Sequence, residues 1–161
     1  MMTKIVDNID YSKLQSLDDP DIRLVEEFID FLKQRRSKQE DIPVSIFSND
    51  KLTVLEAVVK YLREELSFSY SRIASIIKRK EGPVGVTYRK AKSKMPEKLD
   101  TSSREGIPLG IFSRRLSCFE SVVLYLDKKG METKEIAWLL RRNYRTIWTI
   151  NKRARRKNKD E

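Results

Sequence analysis

Apolar residues recur along most of the chain at spacings of three and four, which place them on one face of a helix. The two clearest runs are Leu52, Leu55, Val58, Val59 and Leu62, and then Leu116, Phe119, Val122, Val123 and Leu126. A shorter run of the same kind consists of Ile136, Leu139 and Leu140. With only five glycines and five prolines in 161 residues, the pattern predicts an all-α protein whose core these residues form.

A separate apolar stripe lies near the N-terminus, after the helix start signal Asp18-Asp19-Pro20. The stripe consists of Ile22, Val25, Ile29 and Leu32, and is widened by Leu24, Phe28 and Phe31. It predicts a helix over about residues 19–36, within an acidic N-terminal segment that comprises residues 1–40. So wide an apolar arc is unfavourable in water, so we expect the helix to pack either on the rest of the chain or on a second copy, as a homodimer.

The remainder of the chain contains an internal repeat. Residues 42–48, IPVSIFS, are echoed by residues 107–113, IPLGIFS, and the match continues through the helical runs that follow. The alignment of the two copies shifts by one residue at two places, and both places are where loops are expected. The repeat predicts two copies of one three-helix module, residues 41–95 and 107–157, joined by a polar linker over residues 96–106.

The stretch TKEIAWLLRRNYRTIWTINKRARRK, residues 133–157, is typical of two helices separated by a tight turn. Ala137 supplies the small side chain that two steeply crossing helices need where they meet. Asn143 is placed to cap the second helix, because its side-chain oxygen can accept from the backbone N–H of Arg145 or Thr146. The pattern therefore predicts a helix-turn-helix in the second module, and the repeat extends that prediction to the first.

The order Ile-Ala, Leu, a polar turn and then Thr-Ile resembles the helix-turn-helix of LuxR-type regulators and of the fourth region of bacterial sigma factors. The resemblance covers about fifty residues per copy, and it implies that the second helix enters the DNA major groove. The chain departs from that superfamily at the turn, where Arg141 and Arg142 replace a glycine or small residue. Glu56 and Glu120 recur at one position, and we expect each to tether its turn through Arg79 or Arg142.

Charge is distributed unevenly along the chain. Counted as Lys plus Arg against Asp plus Glu, it rises from −2 over residues 1–40 to +4 over 41–100 and +8 over 101–161, a total of +10. This suits a nucleic-acid partner, because phosphate neutralisation and counterion release supply most non-specific affinity; solubility alone is the alternative. The residues predicted to contact DNA are Asn143, Tyr144, Arg145, Trp148, Thr149, Lys152, Arg153, Arg155 and Arg156 in the second module, and Lys78, Lys80, Arg89, Lys90 and Lys92 in the first.

The two predicted recognition helices differ in chemistry. Arg145 can pair with the two major-groove acceptors of guanine, whereas the aligned residue of the first module is a glycine, Gly82. Trp148 either contacts DNA or packs on a neighbouring helix, and its counterpart is Gly85. We therefore expect the first module to read fewer bases. Its small residues would allow close approach to phosphate, or let another helix pack there.

Other function classes are disfavoured by what the sequence lacks. There is no histidine and only one cysteine, Cys118, so neither a disulfide framework nor a Cys/His metal site can form within one chain. Cys118 aligns with Val54, which indicates a small apolar filler. With no catalytic constellation and no phosphate-binding loop, we expect neither enzyme activity nor a cofactor. We also expect no membrane span and no signal peptide, because no apolar run approaches 18 residues, and hence a cytoplasmic protein.

These observations favour a sequence-specific double-stranded DNA-binding protein, a transcriptional regulator that uses tandem helix-turn-helix modules. Two alternatives remain open. One is a sigma-like or adaptor protein that links RNA polymerase to DNA. The other is a non-enzymatic module that binds protein or RNA through its basic surface.

Overall fold

The computed structural model describes residues 20–39 and 41–159, and within the first range the side chains of residues 23–32. The described residues form seven α-helices and one pair of two-residue strands. The all-α class expected from the apolar spacing is therefore confirmed. The residues before Pro20, expected to be irregular, lie outside the described part of the chain.

The chain divides into two compact units, one ending at Gln39 and one spanning Glu40–Glu161. The described part of the first unit is a single helix, α1 (Pro20–Gln39), where a helix over about residues 19–36 was expected. Its large apolar side chains are exposed, and they are Leu24, Val25, Phe28, Phe31 and Leu32. The rings of Phe28 and Phe31 stack with their centroids 6.5 Å apart. The helix thus presents the wide apolar stripe that the sequence predicted.

In the second unit the same order of elements occurs twice. The first half consists of β1 (Ile42–Pro43), a 3-10 turn (Val44–Phe47), α2 (Val54–Glu64), α3 (Tyr70–Ile76) and α4 (Glu81–Lys94). The second half consists of β2 (Gly106–Ile107), a 3-10 turn (Leu109–Ile111), α5 (Cys118–Lys128), α6 (Thr133–Leu139) and α7 (Tyr144–Lys159). The third helix of each half is the longest of its three.

Both halves begin their first helix with the same capping arrangement. The Thr53 hydroxyl accepts from the Glu56 N–H at 3.2 Å, and the Glu56 carboxylate accepts from the Thr53 N–H at 2.8 Å. Ser117 and Glu120 make the same reciprocal pair, at 3.1 and 2.8 Å. Each box satisfies two backbone donors that a helix start would otherwise leave unpaired, which explains why α2 and α5 begin where they do.

The same two glutamates also bind lysines of the third helices, and this overturns one expectation. Glu56 accepts from Lys94 at 2.7 Å, and Glu120 accepts from Lys157 at 2.9 Å. Burial alone would raise the pKa of each carboxyl, but hydrogen bonds from its cap residue and its lysine lower that pKa below the usual value. The expected tether from these glutamates to the turn arginines is therefore wrong, because each carboxylate already joins the first helix to the third.

The turn arginines instead connect the two halves. Arg142, just before α7, donates from its guanidinium to the carbonyl oxygens of Asn49 and Leu52 in the first half. Arg79, just before α4, donates to the carbonyl oxygen of Leu116 in the second half, at 3.4 Å. Leu52 and Leu116 occupy matching positions in the repeat, as do the two arginines. The contacts are therefore reciprocal, as they are across a two-fold axis.

The two short strands also pair symmetrically between the halves. β1 and β2 pair antiparallel with Ile42 opposite Ile107 and Pro43 opposite Gly106, so one isoleucine of the repeat lies opposite its own counterpart. Both isoleucines are fully buried, and α2 packs against α5. The predicted modules thus share one hydrophobic core.

The residues between the halves are bound to the first half. Leu99 is only 7% exposed and belongs to the shared core. The Ser45 hydroxyl donates to the carbonyl oxygen of Asp100 at 2.8 Å, and the Lys51 ammonium lies 2.8 Å from the Glu97 carboxylate. The segment predicted as a polar linker, residues 96–106, therefore has defined contacts at both ends, since β2 begins at Gly106.

Four residues with positive φ occupy matching turns. Ser67 (φ 55°) and Gly130 (φ 90°) follow the first helix of each half, while Lys78 (φ 55°) and Arg141 (φ 47°) follow the second. A left-handed conformation costs a non-glycine residue about 1–2 kcal/mol. Only the turn at Gly130 avoids this cost. Arg141, in the turn before α7, is thus accommodated with local backbone strain.

Candidate nucleic-acid interface

The start of α7 is capped as the sequence predicted. The Asn143 side-chain oxygen accepts from the backbone N–H of Arg145 at 2.8 Å, so the expected N-cap is confirmed. Ile147 and Ala154 on the inner side of the helix are fully buried, and Asn151 is 7% exposed. Because these residues are spaced by three and four, they fix one side of α7 against the core and turn the opposite side outward.

The outward side of α7, which we call the α7 face, carries seven of the nine residues that were predicted to contact DNA in the second half. It consists of Tyr144, Arg145, Trp148, Thr149, Lys152, Arg153 and Arg156, all of which are exposed. The Trp148 ring is 49% exposed, and the Lys152 ammonium lies 5.1 Å from its centroid. The Thr149 hydroxyl donates to the carbonyl oxygen of Arg145 at 2.9 Å, which leaves its methyl group as its outward feature.

Arg155 differs from its basic neighbours because it is held within the fold. Its guanidinium lies 2.7 and 2.9 Å from the two carboxylate oxygens of Asp127 on α5, and Asn151 donates to the same carboxylate at 2.9 Å. The hydrogen bonds from Arg155 are the largest cause of the lowered pKa of Asp127. The structure therefore places this predicted DNA contact where it joins α7 to α5.

The corresponding side of α4 is less basic and less bulky. Arg89 and Lys90 are exposed there, and Lys78 and Lys80 are exposed just before the helix begins, as the prediction requires. Lys92 lies 3.4 Å from the Glu64 carboxylate of α2, so part of its charge is compensated. Large side chains are fewer on this side of α4, which begins with a glutamate, a glycine and a proline.

Gly85, the counterpart of Trp148, is buried within the first half. A Cβ atom at Gly85 would lie 3.8 Å from the Tyr70 ring of α3, which is ordinary van der Waals contact. The Tyr70 and Tyr88 rings lie 6.0 Å apart, and the Tyr88 hydroxyl donates to Glu64 at 3.1 Å. Gly85 therefore packs against α3, at a place where the Tyr70 ring would also admit an alanine. Gly82 is exposed with nothing within 4 Å of its Cβ position.

One prominent exposed residue was missed by the sequence reasoning. Trp138, on α6, is 82% exposed. It lies beside Arg141 in a groove of about 580 Å³ that also includes Ser45 of the first half and Ser103 of the segment between the halves. The helical spacing that buries Ile136 puts position 138 on the opposite side of α6, so the same pattern contained the signal. An exposed tryptophan beside arginine can stack on a base or anchor a protein partner.

Three further observations concern the acidic side chains, Cys118 and the lengths of the described helices. Among them, no group of three or more Cys, Asp or Glu side chains could hold a metal ion. Cys118 is 5% exposed, and burial raises the pKa of its thiol to about 11, so the thiolate that would act as a nucleophile is disfavoured. No described helix has the length and apolar character needed to cross a membrane.

Comparisons with protein-family models, with curated proteins and with solved structures returned no match. The function must therefore be argued from the side chains and their arrangement.

Proposed function

We propose that the two halves are repeated helix-turn-helix modules and that the protein binds double-stranded DNA with sequence specificity, as a regulator of transcription. The observation that carries the proposal is the α7 face. It combines four exposed cations with two aromatic rings and a threonine, on a capped helix whose inner side is anchored in the core. A rigid helix with one such face has the shape and the chemistry that the major groove accepts.

Each part of the α7 face has a distinct chemical use. Arg145 lies in the first turn, where a recognition helix meets base edges, and its guanidinium can donate to the two acceptors of guanine. The Thr149 methyl group can contact the methyl of thymine. Arg153 and Arg156, further along the helix, suit phosphates, which position a protein without reading sequence. The sequence-specific part of the proposed interface is thus concentrated in the first two turns of α7.

The first half would contribute phosphate binding more than recognition of base sequence. Its exposed cations, Lys78, Lys80, Arg89 and Lys90, can neutralise phosphates, but the first turn of α4 lacks a long hydrogen-bond donor. A contact of this kind weakens with salt and is largely blind to sequence. In this proposal α7 recognises base sequence and α4 binds phosphates.

The reciprocal contacts between the halves support a particular arrangement on DNA. Arg79 and Arg142 each stand immediately before a proposed recognition helix and bind the opposite half, so the starts of α4 and α7 both lie near the interface. Helix-turn-helix dimers with two-fold symmetry bind inverted half-sites. The target expected here is an inverted repeat with unequal halves, the stronger half read by α7.

The adaptor alternative rests on Trp138. A tryptophan that is 82% exposed on α6, outside the α7 face, offers an anchor for a protein surface while α7 remains free for DNA. RNA polymerase is the partner that the sigma-like resemblance implies. Trp138→Ala should then abolish co-purification with polymerase and leave the affinity of the isolated protein for duplex DNA unchanged.

Binding-site selection from random duplex DNA tests the main proposal. We expect enrichment of one motif, and in gel shifts we expect the enriched duplex to bind more tightly than single-stranded DNA or structured RNA. Replacing both Arg153 and Arg156 by alanine should reduce the slope of log affinity against log salt by about 2, because each lost phosphate contact removes about 0.9. Lys134→Ala, an exposed lysine outside the α7 face, is the matched control. Selection without any enriched duplex would exclude sequence-specific DNA binding.

A further inference from the structure

The apolar stripe of α1 is exposed along its whole described length. Its five large side chains, Leu24, Val25, Phe28, Phe31 and Leu32, are between 44% and 67% exposed. Phe28 lies at the middle of the stripe, since each of the other four stands three or four residues before or after it. An apolar face of this width is unfavourable in water. A partner surface that covered it would therefore bind favourably.

Two oppositely charged residues continue the same stripe at its ends. Asp21 stands seven residues before Phe28, and Arg35 stands seven residues after it. Seven residues are close to two helical turns, so the helical period places both positions on the side of α1 that carries Phe28. The stripe therefore begins at an acidic position, passes through an apolar centre and ends at a basic position.

The remaining charges of α1 follow the same order. Four of the five charged residues in 20–30 are acidic, whereas all four charged residues in 31–39 are basic. Such a helix is complementary to a second copy of itself that runs in the opposite direction, because each acidic half then meets a basic half. In a parallel pair, like charges would meet at both ends. The order of charge thus selects both the partner and its direction.

We propose that the stripe is the interface of an antiparallel homodimer, with Phe28 of each copy beside the two-fold axis. In this register Leu24 meets Leu32 of the second copy, and Asp21 meets Arg35 of the second copy. Each of these pairings occurs twice, as a two-fold axis requires. The second copy is the occupant because α1 is self-complementary in charge and in the placement of its apolar residues about Phe28.

The size of the stripe limits the strength of the dimer. Five partly exposed apolar side chains from each copy would together bury on the order of 1,000 Å². This is about the lower limit for a specific interface, and interfaces near that limit are commonly weak or transient. We therefore expect a dissociation constant on the order of 1–100 μM. The dimer does not depend on DNA binding, since α1 and α7 belong to different units.

Sedimentation equilibrium of the full chain without DNA tests the proposal. We expect the mass to rise from that of one chain to that of two over the micromolar range. Phe28→Ala removes a ring from both sides of the two-fold axis, so it should weaken the dimer about tenfold or more. Thermal melting of the same variant should show the second unit folded as before.

Charge exchange at the ends of the stripe tests the antiparallel register. Asp21→Arg and Arg35→Asp each create two like-charged pairs in the dimer, so each should weaken it about tenfold. The double variant carries both changes and restores two opposite pairs, so it should regain the native affinity. Mixing the two single variants should also give a dimer, because one copy is then basic at both ends and the other acidic.

Arg23→Asp is the matched control for charge reversal. Arg23 is exposed, and the helical period places it on the side of α1 opposite Phe28, so its reversal should leave the affinity of the dimer unchanged. The double variant controls for damage to the helix itself. Because it keeps both substitutions, its recovery would have to come from the restored pairs between the copies.

Several results would overturn the proposal. A chain that remains monomeric up to about 1 mM would show that the stripe is covered within one chain. A dimer that Phe28→Ala leaves intact would place the interface on another surface. A dimer that the single charge changes leave unaffected, or that the double variant fails to restore, would exclude the antiparallel register. Co-sedimentation of a monomeric chain with phosphatidylglycerol vesicles, lost in Phe28→Ala, would assign the stripe to a membrane surface.

Discussion

The two halves of the second unit share their buried and capping residues and differ in what they expose. Both begin with a capping box, both join the first helix to the third by a lysine–glutamate pair, and both place an alanine, Ala74 or Ala137, in the buried side of the second helix. On the outside, α4 offers glycine and proline where α7 offers arginine and threonine. The comparison teaches that the buried and capping residues of one folding unit can be kept constant while the side chains on its exposed helix change.

The interface between the halves is also unequal in strength. Arg142 makes two hydrogen bonds to first-half carbonyls, whereas Arg79 makes one long contact of 3.4 Å to the second half. A difference of this kind is expected when an internal repeat loses the strict symmetry of a homodimer, because each side can then change separately.

The largest expected effect is on this interface. Arg142→Ala should lower the free energy of unfolding by about 2–4 kcal/mol, because charge-assisted hydrogen bonds to two carbonyls are lost. Arg79→Ala should cost less than about 1 kcal/mol, since its single contact is long. Urea denaturation of both variants measures the difference. Equal losses of stability would show that the contacts of Arg142 and Arg79 contribute alike.

The next effect concerns α4 and α7 and tests the proposed DNA binding. Arg145→Ala should cost about 1–3 kcal/mol on the preferred DNA site and blur the preference at one base pair. Arg89→Ala, in the other half, should weaken all sequences alike, as loss of a phosphate contact does. Binding-site selection on both variants checks the division of labour. It is refuted if Arg89→Ala alters the preferred sequence while Arg145→Ala leaves it intact.

A smaller effect is expected inside α4. Gly85→Ala should raise the free energy of unfolding by up to about 1 kcal/mol, because alanine is the better helix former and its Cβ would only touch the Tyr70 ring. Gly82→Ala, in the first turn of the same helix, is the control and should stabilise less. Thermal melts distinguish them. A loss of stability in Gly85→Ala would mean that Tyr70 has no room to adjust.

The last comparison concerns the turns after the first helices, where the smallest single effect is expected at Ser67. Ser67→Gly should stabilise by a few tenths of a kcal/mol, because relief of the left-handed strain slightly exceeds the entropy that glycine adds to the unfolded chain. The reciprocal change, Gly130→Ser, should destabilise by about 1 kcal/mol, although its side chain would meet nothing within 4 Å. Chemical denaturation of the pair checks both signs. Stabilisation by Gly130→Ser would contradict the backbone argument.

Much of the local structure could be predicted because it depends on residues close together in the chain. The spacing of apolar residues predicted the helices, and Asn143 was correctly identified as a cap because an N-cap and its amide are two or three residues apart. The tether expected from Glu120 failed for the opposite reason. Its carboxylate had several basic residues within reach, and the sequence does not say which one the fold brings to it.

The candidate site shows the same division. The exposed side of α7 could be predicted from the helical period. The same period in α6 predicts that Trp138 is exposed. The engagement of Arg155 with Asp127 did not follow, because these residues are 28 positions apart and meet only when α7 packs on α5. From the sequence, Gly85 likewise was only a gap in the predicted recognition helix, whereas the structure places the Tyr70 ring beside it.

The sequence by itself determined the helical class of this protein, the internal repeat and the uneven distribution of charge, because these depend on residue type and spacing alone. Only the tertiary structure decided that the halves share one core, that their turn arginines exchange contacts, and that residues 96–106 bind to the first half. It also decided which cations remain exposed. Such contacts join residues far apart in the chain, so they depend on how the helices are packed, and a one-dimensional pattern does not contain that information.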